Sequence, residues 1–326
     1  MDLYLRLSGN MDDLLARAPM LARLAQRAQT ARADAGMAAW LCHQFNIPRQ
    51  HDWPLAPVCA RADGIEPGGA AWLRLDPMHL EPGLRGLMPH AAVHVGLDSE
   101  EAAALGDGLR PLWAAAGMTL FTPRPTRWYL RLEQPPEWHA ASPDMLANLP
   151  LERGLPQGPG AREFMRLIND AQMLLHAHPV NRRREARGVA PINGLWAWGG
   201  GRAPAITQAP DLLAAEPTSA DPDVLAAAVA TYAGTRRILC PPALAGSHVW
   251  RGCRHALVIP PVADGPEASE TALARIERDW LQPLLRAMRM GRVRRASISL
   301  PTDPPLRIEL DWLGAWGWRR RATSAR

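Results

Sequence analysis

Between Trp72 and Leu132 the apolar residues move from the two-residue period of a strand to helical spacing and back again. Trp72-Leu73-Arg74-Leu75 and Ala91-Ala92-Val93-His94-Val95 read as strands. Ser99, followed by Glu100, Glu101 and an Ala/Leu-rich run to Ala116, reads as a helix with acids at its positive end. Gly117 closes it, and Met118–Phe121 and Arg127–Leu132 return to strand spacing. A chain that alternates in this way must bury sheet faces under helices, which predicts an α/β or α+β layer.

The same signals recur outside this stretch. Leu3, Leu5 and Leu7 alternate with polar residues, predicting a first strand. Helical spacing follows from Asp12 to about Arg32, capped by Asp12 or Asp13 and interrupted at Pro19, and again from Asp34 to Gln44. Residues 134–160 are rich in Pro and Gly and read as an extended connection. A broad apolar stripe through Phe164, Leu167, Ile168, Ala171, Leu174 and Leu175 predicts a helix over Ala161–His176. Pro222–Ala233 and Ser269–Met290 read as further helices, the second kinked or divided at Pro283. Strands are expected at Ile238–Cys240 and Ala256–Ile259. Ala296, Ile298 and Leu300 face Leu306, Ile308, Leu310 and Trp312 across a Pro-rich turn, the pattern of a hairpin.

Composition narrows the function classes. The 326 residues are 47% hydrophobic and 21% charged, the profile of a folded chain, and no apolar run approaches the ~18 residues of a membrane span. The opening Met1-Asp2-Leu3-Tyr4 is not that of a secretory signal. All 37 basic residues are arginine against 32 acids, a net +5 spread over a long chain. This fits a GC-rich coding bias better than a nucleic-acid surface, which concentrates its charge. Arg292-Val293-Arg294-Arg295 and Arg319–Arg321 read as charges guarding a solvated sheet edge. The sparse Cys42, Cys59, Cys240 and Cys253 form no Cys-x-x-Cys pair and suit a reduced, cytoplasmic protein. The spacing of Cys240, His248, Cys253 and His255 matches no structural zinc pattern.

The chemistry-bearing residues gather between His176 and Arg202. Pro179 stops the preceding helix, so His176 and His178 fall at its negative end, where the dipole favours protonated imidazole. Asn181 is placed to cap a short helix carrying Arg184, and Gly188 to close it. Leu195–Trp198 reads as a strand, and Gly199-Gly200-Gly201 as a turn whose backbone can approach an anion. Arginine for phosphate or carboxylate, asparagine for hydroxyls and histidine for proton exchange would suit an anionic, hydroxylated ligand. Candidate ligand-binding residues are therefore His176, His178, Asn181, Arg184, Asn193, Trp196, Gly199, Gly201 and Arg202, with Trp198 as a wall or support. A separate group, Asp76, His79, His90 and His94, is the candidate for a metal.

The pattern Val180-Asn181-x-x-Arg184-x-x-x-Gly188-x-x-Pro191-x-Asn193-x-x-Trp196-x-x-Gly199-x-Gly201 resembles a stretch of the archaeal-type cofactor-independent phosphoglycerate mutases, of alkaline-phosphatase-like fold. Trp-Leu-Arg-Leu-Asp-Pro-Met-His-Leu at 72–80, together with Leu195–Gly201, is similar to the RpfE-type regulatory proteins of proteobacteria. The resemblance implies an α/β fold: a reduced alkaline-phosphatase-like sheet with helices on its faces and an inserted smaller α/β unit. The main domain would comprise residues 1–66 and 161–326, the insert 67–133, and the connection 134–160.

The chain departs from the mutase pattern where metals would bind. Ser8-Gly9-Asn10-Met11-Asp12-Asp13 follows strand one in place of an Asp-Gly-x-Gly-Asp segment, and no histidine follows His255. Val189 and Trp198 stand where the mutase pattern has cations. Two-metal phosphoryl transfer draws on converging carboxylates and imidazoles. The expectation is thus a non-catalytic, mutase-like regulatory protein that binds a small phosphorylated metabolite or a protein partner, without cofactor. The alternative is a metal-dependent mutase or phosphohydrolase using Mn or Zn at Asp76, His79 and His94.

Overall fold

The computed structural model describes residues 1–7, 18–32, 36–83, 86–92, 94–146, 151–215, 221–244, 250, 252–260, 274–300 and 305–311. In chain order the elements begin with β1 (Asp2–Arg6), α1 (Pro19–Arg27), β2 (Gln29–Arg32), α2 (Gly36–Gln44) and α3 (Leu55–Ala62). Next come β3 (Ala71–Gly83), β4 (Gly86–Ala91), α4 (Ser99–Ala115), β5 (Thr119–Arg124) and β6 (Arg127–Leu132). After two short helical turns follow α5 (Ala161–Ala177), α6 (Pro179–Ala186), β7 (Gly194–Arg202), β8 (Leu212–Ala215), α7 (Asp221–Tyr232) and β9 (Arg236–Leu239). The chain closes with β10 (His255–Ile259), a π-type turn at Ile276–Leu281 leading into α8 (Gln282–Arg289), β11 (Arg295–Leu300) and β12 (Leu306–Asp311).

These elements form two compact units. One comprises residues 1–35, 208–218 and 233–326, the other 36–207 and 219–232. This corrects the expected division, which keeps 36–66 and 161–207 with the main domain. The reason is a strand pairing: β7 bonds to β3 along Ala71–Met78, so the 194–202 segment completes the sheet begun at residue 71.

The first unit is built on a seven-stranded sheet in the order β2-β12-β11-β1-β10-β8-β9. β1 lies between β11 and β10 and is parallel to both. Leu3, Leu5, Val258 and Ile298 are buried in one apolar cluster with Trp280, Leu284 and Met288. The terminal hairpin is formed as expected and pairs Ala296, Ile298 and Leu300 with Leu310, Ile308 and Leu306, with its turn outside the described residues.

Other expectations for this unit change. The helix α1 starts at Pro19, in the first turn where proline loses no hydrogen bond, and Gln29–Arg32 is strand. The segment 8–17, with the expected Asp12 or Asp13 cap, lies outside the described residues. The Glu277 carboxylate accepts from Met20 N (2.7 Å) and Leu21 N (3.1 Å), satisfying donors at the start of α1. The expected division at Pro283 is found: a π-type segment ends at Leu281 and Pro283 sits in the first turn of α8. Arg295 guards no edge, because β11 is an interior strand, and its guanidinium pairs with Asp2 of β1 (2.5 Å). The exposed Arg236 and Arg237 lie on β9, at the actual edge.

The second unit centres on β3. Its residues Ala71–Leu75 pair with β6 on one side and β7 on the other, and Met78–Gly83 pair with β4. Leu73 and Leu75 point into a core with Leu105, Trp113, Phe164 and Ile168 of α4 and α5. The helix α4 starts as expected: the Asp98 carboxylate accepts from Glu101 N (2.8 Å), and the chain reverses at Gly117 (φ +73°). The strand expected at 91–95 is displaced to 86–91. The ladder begins at the Gly83–Gly86 pair and places Pro89 on a sheet-edge strand, and His94–Gly96 is turn.

Candidate functional site

The segment 176–202 runs from the end of α5 through α6 and along β7. The side chain of His178 caps α6, its Nδ1 accepting from Val180 N at 3.2 Å, a role that spacing alone assigns to Asn181. Burial, then the nearby Arg183 guanidinium, lowers the His178 pKa, opposite to the expected dipole effect favouring protonated imidazole. Asn181 lies inside α6 and spans the chain instead. Its Nδ2 donates to Leu175 O (2.8 Å) and Ile192 O (2.7 Å), while its Oδ1 accepts from Ile192 N (2.8 Å).

Asn193 repeats the device one residue on. It accepts from Leu80 N at 2.7 Å and donates to Leu80 O at 3.0 Å, tying the segment to β3. Between these amides, Arg184 is 1% exposed. Its Nε donates to Ala190 O (2.9 Å), and its two terminal nitrogens to Gly96 O, Val95 O and the Glu101 carboxylate. Glu101 also accepts from Arg187 at 2.6 Å. Of the expected ligand residues at 176–193, only His176 is exposed. Gly188 closes α6 at φ +70°, as the sequence predicts.

The triple glycine is strand, not turn. Its backbone does meet an anion, but one inside the protein: Gly199 N donates to Asp52 Oδ2 at 2.9 Å. Burial pushes the Asp52 carboxyl above the usual carboxylate range, against the pull of N–H groups from Trp53, Gly199 and Ala140. A Cβ on Gly200 would lie 2.5 Å from Pro136 Cγ, and one on Gly201 would lie 2.6 Å from Gln50 Oε1. The glycines therefore admit neighbouring chain. Arg202 donates to Gly69 O and to Glu133 O (2.9 Å), and Trp196 Nε1 donates to Ala141 O (2.8 Å).

Of the four metal candidates, the fold brings together His79 and His90 and leaves Asp76 and His94 apart from them. Asp76 is buried, accepting from Arg74 Nε (2.7 Å) and Trp198 Nε1 (2.7 Å), and His94 is exposed on a turn. His79 faces His90 instead. Among the described residues no group of three or more His, Cys, Asp or Glu is placed to hold a metal ion. His248 and the segment after strand one lie outside the described residues. Among those described, no helix is long and apolar enough to cross a membrane.

A polar seam between α3 and the sheet goes unseen at the level of motifs. Arg74, fully buried, stacks over the Trp198 ring (4.8 Å) and approaches Cys59 Sγ at 3.7 Å. Beside it Asp63 accepts from Arg127 Nη2 (2.6 Å) and Nε (2.8 Å) and from Tyr129 Oη (2.7 Å). A charged residue amid the apolar alternation of 72–75, with an acid two residues later on the same strand face, is the available signal.

Burial pushes the Asp63 carboxyl up, but the bonds from Arg127 and Tyr129 outweigh it and hold the group below its ordinary value. A depressed folded pKa gives stability that is present above the unfolded value of about 3.9 and lost as pH falls through the folded one. Asp63→Asn should therefore be less stable than the parent at pH 7, by about 1–3 kcal/mol. The gap should narrow on acidification in urea unfolding. Parallel stability curves from pH 7 to pH 2 would remove Asp63 from the acid response.

No protein-family model matches the chain. A protein named probable 2,3-bisphosphoglycerate-independent phosphoglycerate mutase, from Geobacter sulfurreducens, is 46% identical over 50 residues, 15% of this chain and 12% of that protein. The 2,3-bisphosphoglycerate-independent phosphoglycerate mutase of Methanothrix thermoacetophila is 39% identical over 64 residues, 20% of this chain and 16% of that one. Among solved structures, the cofactor-independent phosphoglycerate mutase of Thermoplasma acidophilum aligns over 95% of this chain and 89% of its own, with a TM-score of 0.43 and 14% identity. The PH0037 protein of Pyrococcus horikoshii aligns over 95% and 87%, with a TM-score of 0.47 and 14% identity. The matched stretches span less than a fifth of the length of these two curated relatives. In those stretches this chain is similar to cofactor-independent phosphoglycerate mutases.

Proposed function

We propose that this chain is a phosphoglycerate-mutase-like protein, on a reduced alkaline-phosphatase-like scaffold, whose role is binding and regulation rather than mutase turnover, as in RpfE-type proteins. The observation that carries the reading is Arg184. It is the arginine of the mutase-like motif, yet its guanidinium is spent on Glu101 and main-chain carbonyls and offers no face to a phosphate. Asn181, Asn193 and Gly199 are committed in the same way. The departure at Ser8–Asp13 from the metal-binding pattern points in the same direction. What the segment leaves outward includes His176 and the guanidinium groups of Arg182 and Arg183, with Glu185 beside them, a surface of net positive charge suited to a phosphorylated metabolite or an acidic protein partner. That Cys42, Cys59, Cys240 and Cys253 are not in disulfides is consistent with a cytoplasmic setting.

Local identity to the mutases favours a second reading, a metal-dependent mutase or phosphohydrolase. One assay separates the two. Given 2- or 3-phosphoglycerate and Mn²⁺, the purified protein is expected to show no conversion above a protein-free control. Turnover that a chelator abolishes would establish the catalytic reading and end the regulatory one.

A further inference from the structure

Two imidazoles face each other across the β3–β4 ladder. His79 and His90 are direct partners in its register, with ring centroids 6.0 Å apart and planes inclined by 28°. Each ring has one nitrogen already engaged. His79 Nδ1 lies 2.8 Å from Pro191 O. A carbonyl only accepts, so the proton of the neutral ring sits on Nδ1 and the lone pair is left on Nε2. His90 Nε2 lies 3.0 Å from Glu81 Oε2. A carboxylate likewise only accepts, which places that proton on Nε2 and leaves the lone pair on Nδ1.

This is the arrangement that prepares an imidazole to ligate: one N–H held by a carbonyl or carboxylate, which fixes the tautomer and raises the basicity of the other nitrogen. We propose that His79 and His90 form a two-imidazole site for a divalent transition-metal ion, with Pro191 O and Glu81 as the outer partners and solvent in the remaining positions. Two imidazoles on one ion, each bonded at about 2.0–2.1 Å, have centroids roughly 5–6 Å apart, close to the 6.0 Å found here, and the rings must turn from their near-parallel arrangement until the two in-plane lone pairs meet at the ion. Access is open, since the side chains of His90 and Glu81 are 39% and 60% exposed. The donors are nitrogen, which suits Ni²⁺ and Zn²⁺ and not Mg²⁺ or Ca²⁺. The site owes nothing to the mutase likeness and does not include Asp76 or His94.

Isothermal titration of the full chain at pH 7.5 with Ni²⁺ and with Zn²⁺ tests it. One equivalent of ion is expected to bind, with no heat from Mg²⁺. His90→Ala and His79→Ala should each lose at least tenfold in affinity, and Glu81→Ala about tenfold through the outer shell. Thermal unfolding of each variant without metal checks that it is folded, and His79→Gln serves if the alanine is not. Absence of Ni²⁺ and Zn²⁺ binding, or binding of equal strength in the double variant His79→Ala/His90→Ala, overturns the proposal. The second result would move the ion elsewhere, to thiols such as the partly exposed Cys253.

Discussion

Arg184→Ala is expected to cost about 3–5 kcal/mol of stability, the penalty for breaking a buried ion pair by removing one partner. The substitution strips the Glu101 carboxylate, itself only 12% exposed, of its buried cation. It also leaves Val95 O, Gly96 O and Ala190 O without the donors that now satisfy them. Arg187 remains on Glu101 but is 60% exposed and provides weaker compensation. Arg184→Lys should fall between, since a single ammonium cannot reach acceptors spread around a planar fork. Urea unfolding gives the number. A variant within about 1 kcal/mol of the parent would mean that Arg184 is free for a ligand, against its observed hydrogen bonding.

That prediction turns on what a sequence can and cannot specify. The type and spacing of Asn181, Arg184 and Asn193 are legible, and so are the helix boundaries around them: Pro179 and Gly188 are local signals acting on their own neighbours. The direction in which the polar groups point is not, because their partners are distant in the chain. Arg184 reaches Gly96 and Val95, 88 and 89 residues away, and Asn193 reaches Leu80, 113 away. The same polar residue types serve a ligand or a backbone equally well, and only the fold says which stands opposite.

The fold divides along the same line. The capped helix α4, the striped helix α5 and the terminal hairpin follow directly from pattern, since cap, period and turn lie within each element. The membership of 161–207 does not, because it depends on β7 pairing with β3, a contact that leaves no mark in either strand's own pattern. The shift of the expected 91–95 strand to 86–91 has a similar origin. Partner β3 dictates its register, and the apolar Ala92 is buried in the turn that follows.

The buried seam gives the second large effect. Asp76→Leu should destabilise by about 3–5 kcal/mol, because it withdraws the carboxylate bonded to the Nε of an arginine that is 1% exposed. It also deprives Trp198 Nε1 of its acceptor. Asp76→Asn keeps an oxygen for one of these donors and should lose less. The informative comparison is with the double variant Arg74→Leu/Asp76→Leu. Removing both charges eliminates the uncompensated cation, so the double variant should be more stable than the sum of the single losses predicts, by about 0.5–3 kcal/mol. Chemical unfolding of the parent, the two single variants and the double variant closes the cycle. Additivity to within about 0.5 kcal/mol would show that the two side chains act independently, leaving Arg74 to be held by Trp198, Cys59 and its remaining neighbours. A coupling of the expected size would instead make the pair the polar anchor between α3 and the sheet, which keeps β3 aligned with β7.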